Sequence, residues 1–109
     1  MTRTMGLAPD LATFERLAGT RFQLRLDTDA SIEAELLEVR RGAVTAGWEM
    51  FSLVFQAPAE APAEQRMYEV EHHATGPYEL FLVPVGRTEG GLLYEAVFNR
   101  RIGPTAGGD

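Results

Sequence analysis

The chain contains no cysteine, which removes disulfides, thiolate nucleophiles and Cys-ligated zinc from its chemistry. It contains no lysine either: all ten basic residues are arginine, set against sixteen acids for a net charge of −6. The only adjacent basic pairs are Arg40-Arg41 and Arg100-Arg101. An acidic domain without a basic stripe is a poor ligand for phosphate backbones, so nucleic acid is not an expected partner. No apolar run approaches the roughly 20 residues of a membrane-spanning helix. The stretch "MTRTMGLAPD" lacks the apolar centre of a signal peptide, so a cytoplasmic location is expected, with export as part of an assembly left open. Nucleophile arrangements are also missing. Ser31 and Ser52 are the only serines and neither sits in a glycine elbow, and the glycine pairs at 90–91 and 107–108 lack phosphate-loop spacing.

What is present is an ordinary globular composition, with 109 residues of which 45% are apolar and 24% charged. That size and balance predict one domain over 1–102, followed by a Gly-rich tail at 103–109. "DLATFERLA" (10–18) carries Leu11, Phe14 and Ala18 at helical spacing, with Leu7 before and Leu17 beside them. Asp10 is placed to cap it and Gly19 to end it. From residue 20 the period becomes two. "TRFQLRL" alternates Phe22, Leu24 and Leu26 with polar residues, and "SIEAELLEVR" shifts phase at Leu36-Leu37, which predicts a bulge or bend. "RGAVTAGWE" reads as a loop, "MFSLVFQ" as a strand with Phe51, Leu53 and Phe55 on one face, and "APAEAPAE" as the least ordered internal stretch. "RMYEVEHH", "YELFLVPV" and "LLYEAVFN" complete about six antiparallel strands with turns between them. The expected fold is mainly β, a small barrel or sandwich with one short N-terminal helix.

"YELFLVPV" is apolar on both faces. Tyr78, Leu80, Leu82 and Pro84 line one, and Phe81, Val83 and Val85, beside Glu79, line the other. Neighbouring strands account for the first face. The second needs cover from the helix, the favoured reading, or from a partner. Pro84 lacks an N–H and belongs at a bulge or an unpaired edge.

Two constellations suggest chemistry. Glu69, Glu71 and His73 share a strand face and could hold a divalent ion or supply a base, although a solvated polar face is the commoner outcome; His72 points the other way. Glu79 and Glu95 interrupt apolar strands and would act as paired acids only inside a common cavity. The tyrosines Tyr68, Tyr78 and Tyr94 could instead line a ligand pocket.

The four segments "FSLVF", "YEVEH", "GPYELFLVPVGR" and "YEAVFNR" together resemble a family of small bacterial proteins known as a domain of unknown function. The resemblance covers about residues 7–100, more loosely over the helix and "GTRFQLRL". Here Val70 stands where the family usually has Leu, and "AEQRMY" lacks the family's glycine before Tyr68. The resemblance implies no catalytic residue, metal or cofactor. It implies an association with phage-tail-fibre-like collar proteins, and so a structural part of a tail-like assembly. Combined with the doubly apolar strand, these readings lead to the expectation of a non-enzymatic docking subunit. Its protein partner would meet Trp48, Phe81, Val83, Pro84 and Val85. Open strand edges would offer a route to homo-oligomers, while a small-ligand-binding barrel and, behind it, a metal-dependent enzyme are the alternatives.

Overall fold

A computed structural model describes residues 6–45 and 47–101. Helix α1 (Leu11–Leu17) is followed by β1 (Arg21–Arg25), β2 (Ser31–Thr45), β3 (Trp48–Ala57), β4 (Arg66–His72), β5 (Gly76–Thr88) and β6 (Gly91–Arg101). The six strands pair antiparallel and close into a barrel in the order β1-β2-β3-β6-β5-β4. The period-two pattern dictates which side chains enter. Phe22 and Leu24, Ala34 and Leu36, Phe51, Leu53 and Phe55, Tyr68 and Val70, Tyr78, Leu80 and Leu82, and Leu92, Tyr94 and Ala96 form one continuous core.

The phase shift in β2 is a bulge between Leu36 and Glu38, and it leaves Leu37 exposed. Two segments read as loops differ from expectation. Residues 41–45 continue β2 past a second irregularity between Arg41 and Val44, so the β2–β3 hairpin turns only at Gly47, whose φ is +83°. Glycine and alanine there weaken the strand signal, but pairing with β3 supplies the missing preference. The Pro/Ala/Glu segment 58–65 is not loose either. It folds across one mouth of the barrel, buries Ala61, and accepts hydrogen bonds from Tyr68 Oη at Glu64 O (2.8 Å), from Tyr94 Oη at Pro62 O and from Arg87 Nη1 at Ala59 O (2.9 Å). The tail expected at 103–109 lies outside the described residues.

Strands β5 and β6 pair only from Val83↔Glu95 to Thr88↔Gly91. Below that level β5 continues along β4 and β6 along β3, and the two part company. The N-terminal segment and the Phe14 ring of α1 close the resulting seam. Gly6 N donates to Pro77 O on β5 (2.9 Å), and Arg100 Nη2 on β6 donates to Pro9 O (2.7 Å). Asp10 caps α1 by accepting from Thr13 N (2.9 Å), and Gly19, at φ +85°, ends it. Leu11 and Phe14 are buried, whereas Leu7 and Ala18, expected on the same stripe, are exposed. The helix therefore plugs a barrel end and does not cover an outer wall.

Candidate functional site

The outer face of β5 stays uncovered. Alternation turns Tyr78, Leu80 and Leu82 inward and Glu79, Phe81 and Val83 outward, and Phe81 is 48% exposed. The expectation that the fold itself would cover this face is thus corrected. The seven-residue helix spends its apolar stripe at the barrel end, where Phe14 meets Phe51, Tyr78 and Phe98 at ring-centroid distances of 6.1, 6.2 and 5.6 Å. It is too short to reach the wall as well.

Phe81 is not isolated. Met67 on β4 is its direct cross-strand partner and is 54% exposed. Val83 is half-buried opposite Glu95 of β6, and Val97, two residues on and on the same face, is 71% exposed. Met67 and Phe81 thus form an exposed apolar pair with Val83 beside them, and Val97 lies across the seam on β6, beyond the last β5–β6 pair. The sequence reading missed Met67 and Val97, although the alternation was sufficient to place them. In "RMYEVEH" the inward Tyr68, Val70 and His72 put Met67 outside, and in "YEAVFN" the inward Tyr94, Ala96 and Phe98 put Val97 outside. A shallow groove of about 220 Å³ adjoins this surface, bordered by Arg40, Met50, Ser52, Glu95 and Val97.

The other expected interface residues fall elsewhere. Pro84 pairs with the buried Tyr94 and turns inward, half-buried, at a bulge between Pro84 and Gly86. Val85 is the extra residue of that bulge and is 51% exposed. Trp48 lies at the far end of the β3–β6 pair, opposite Arg101, whose guanidinium sits 5.4 Å from its ring centre. Four residues of β6 separate Arg101 from Val97, the nearest residue of the apolar group, which is about 13 Å of strand. Trp48 is therefore exposed but not part of the same surface.

The candidates for chemistry do not converge. Glu79 and Glu95 point outward on different strands and share no cavity. Glu69 lies opposite Glu79 and 3.5 Å from Arg25 Nε, so its side chain belongs to an ion pair on the outer wall. No cluster of three or more His, Asp or Glu side chains among the described residues is arranged to hold a metal. Tyr68, Tyr78 and Tyr94 are essentially inaccessible, and their rings fill the barrel where a ligand pocket would have to lie.

His72 has a structural position. Its Nδ1 accepts from Ala74 N (3.0 Å), which places the proton on Nε2. Nε2 then donates to Thr20 Oγ1 (3.1 Å), and that hydroxyl donates to Leu17 O (2.6 Å) at the end of α1. Burial, and secondarily the neighbouring His73, lower the His72 pKa below the ordinary 6.5. Protonation would place a second N–H against that of Ala74. A group with a depressed folded-state pKa takes up protons in the unfolded state first, so stability falls as pH drops below 6.5 toward the folded-state value. The melting temperature is expected to hold steady above about pH 7 and to decline through this window. His72→Gln should remove that decline, and an unchanged slope in the variant would show that His72 is not its source.

Among the described residues, no helix is long and apolar enough to cross a membrane. A family model described as a domain of unknown function (DUF6916) matches residues 9–98. No curated protein and no solved structure matches the chain.

Proposed function

Since the chain belongs to the family of domains of unknown function DUF6916, we propose, from its surface, that it is a non-enzymatic structural subunit that docks onto a larger protein assembly through the outer face of β4, β5 and β6. The observation behind this reading is the exposure of Met67, Phe81 and Val97, with the half-buried Val83 among them, on the outer side of three successive strands. Scattered apolar side chains on a surface are ordinary, but outward apolar residues on three successive strands mark a candidate contact. Their burial against a partner would contribute about 1.5–3 kcal/mol per fully covered side chain. The tail-fibre-like nature of the assembly rests on the sequence resemblance alone.

The test is recovery of tagged protein from its native cells under mild conditions, with Phe81→Glu compared against the parent chain. Phe81 points away from the core, so the substitution should leave the barrel folded at a cost of about 1 kcal/mol. A stoichiometric partner lost in the folded variant is the expected result. A partner kept at full stoichiometry, or a parent chain recovered alone and monomeric, would end the docking reading.

A further inference from the structure

The charges around the apolar surface specify what sits on it. On β5 the outward residue before Phe81 is Glu79, directly opposite Glu69 of β4. Carboxylates facing each other across a strand pair repel. Arg25 approaches Glu69 from β1, whereas Glu79 has no ion-pair partner among the described residues. At the other end of the surface Glu95 stands beside Val83, and Arg40, the cation that feels it, is held by Glu38 at 3.1 Å. The face is therefore an apolar centre flanked by two carboxylates that no described arginine holds in an ion pair. A second copy docked face to face would set these carboxylates near their own duplicates, between two chains each of net charge −6. Such a pairing opposes itself at neutral pH.

We propose that the occupant is a segment of another protein carrying arginine or lysine side chains on either side of apolar ones. Its cations meet Glu79 and Glu95, and its apolar groups cover Phe81, Val83, Met67 and Val97. Arginine suits the carboxylates better, because its planar fork can bond one in bidentate fashion. The inference rests on the docking reading and adds the chemistry of the partner.

Two synthetic peptides of equal length test it, one alternating leucine with arginine and the other leucine with glutamate. Each is titrated into the full chain with labelled methyl groups. The arginine peptide should shift the Met67, Val83 and Val97 methyls together, and glutamine at both Glu79 and Glu95 should weaken it about tenfold. The glutamate peptide should leave those methyls in place. Equal binding of the two peptides would overturn the cation requirement while leaving docking intact. Shifts that bypass these methyls, or no shifts with either peptide, would overturn the assigned partner chemistry. Failure of docking itself is read separately, from the native partner's indifference to Phe81→Glu.

Discussion

Phe14→Ala is expected to cost about 3–5 kcal/mol, a large share of the roughly 5–15 kcal/mol that holds a domain of this size together. Phe14 is fully buried, and its ring bridges the two strands that part at the seam, touching Tyr78 on β5 and Phe98 on β6. Beneath it Phe51 and Phe98 stack at 4.5 Å with planes only 8° apart, and the Arg100 guanidinium covers both rings. Removing the phenyl ring leaves a cavity that these stacked rings are too rigidly placed to fill. It also strips α1 of its main anchor, and seven residues do not hold a helix by themselves in water. The Tyr78 side of the seam would then be wetted. Thermal unfolding followed by circular dichroism should show the midpoint fall by on the order of 20 °C. Amides of α1 should lose hydrogen-exchange protection before those of the barrel. A loss below about 1 kcal/mol would mean that the helix is an appendage and the barrel end closes without it.

The barrel was legible because the period-two signal is local. Phe22/Leu24, Phe51/Leu53/Phe55 and Tyr94/Ala96 each declare an inward face within a few residues, and even the bulge after Leu36 left its mark as a break in phase. The Asp10 cap and Gly19 stop were legible for the same reason. What the pattern could not convey was how the helix is used. Its stripe matches an end plug or a wall cover equally well, and only the separation of β5 from β6 over the residues before Val83 creates a place for a plug. The docking surface was half legible. Phe81, Val83 and Val85 attracted notice because they share a strand, whereas Met67 comes to lie beside Phe81 only through pairing, and Val97 faces outward on the next strand. Pro84 was legible as a bulge residue on the Tyr78 face, and that inward direction is what separates it from Phe81 and Val83. Trp48 was grouped with them on residue type, and the register sets it far along β6. The order in segment 58–65 was invisible because it is supplied by tyrosine hydroxyls from strands distant in sequence.

Gly91→Ala should cost about 3 kcal/mol or more, while Gly90→Ala should cost less than about 1 kcal/mol, although the two glycines adjoin in one turn. Gly91 has φ +141°, a conformation that residues with a side chain rarely adopt. A methyl group there would lie far inside van der Waals contact of the Ala57 carbonyl oxygen, and it would press on the backbone carbon of Pro58 at 3.3 Å. Neither can yield cheaply. Ala57 is paired to Leu92 in the β3–β6 ladder, and Pro58 begins the segment that Tyr68, Tyr94 and Arg87 tie across the barrel mouth. Backbone strain and steric displacement therefore add, and movement of Ala57 would loosen the whole closure. At Gly90 the methyl would meet only the end of the Gln56 side chain. That amide can rotate away at the cost of its exposed 2.9 Å bond to Thr88 Oγ1, a modest loss. Urea unfolding of both variants separates the two cases. A difference of at least about 2 kcal/mol is expected, with faster hydrogen exchange around residue 61 in the Gly91 variant alone. Equal midpoints for the two variants would mean that the contact of β6 with Ala57 is not what holds this end of the barrel shut.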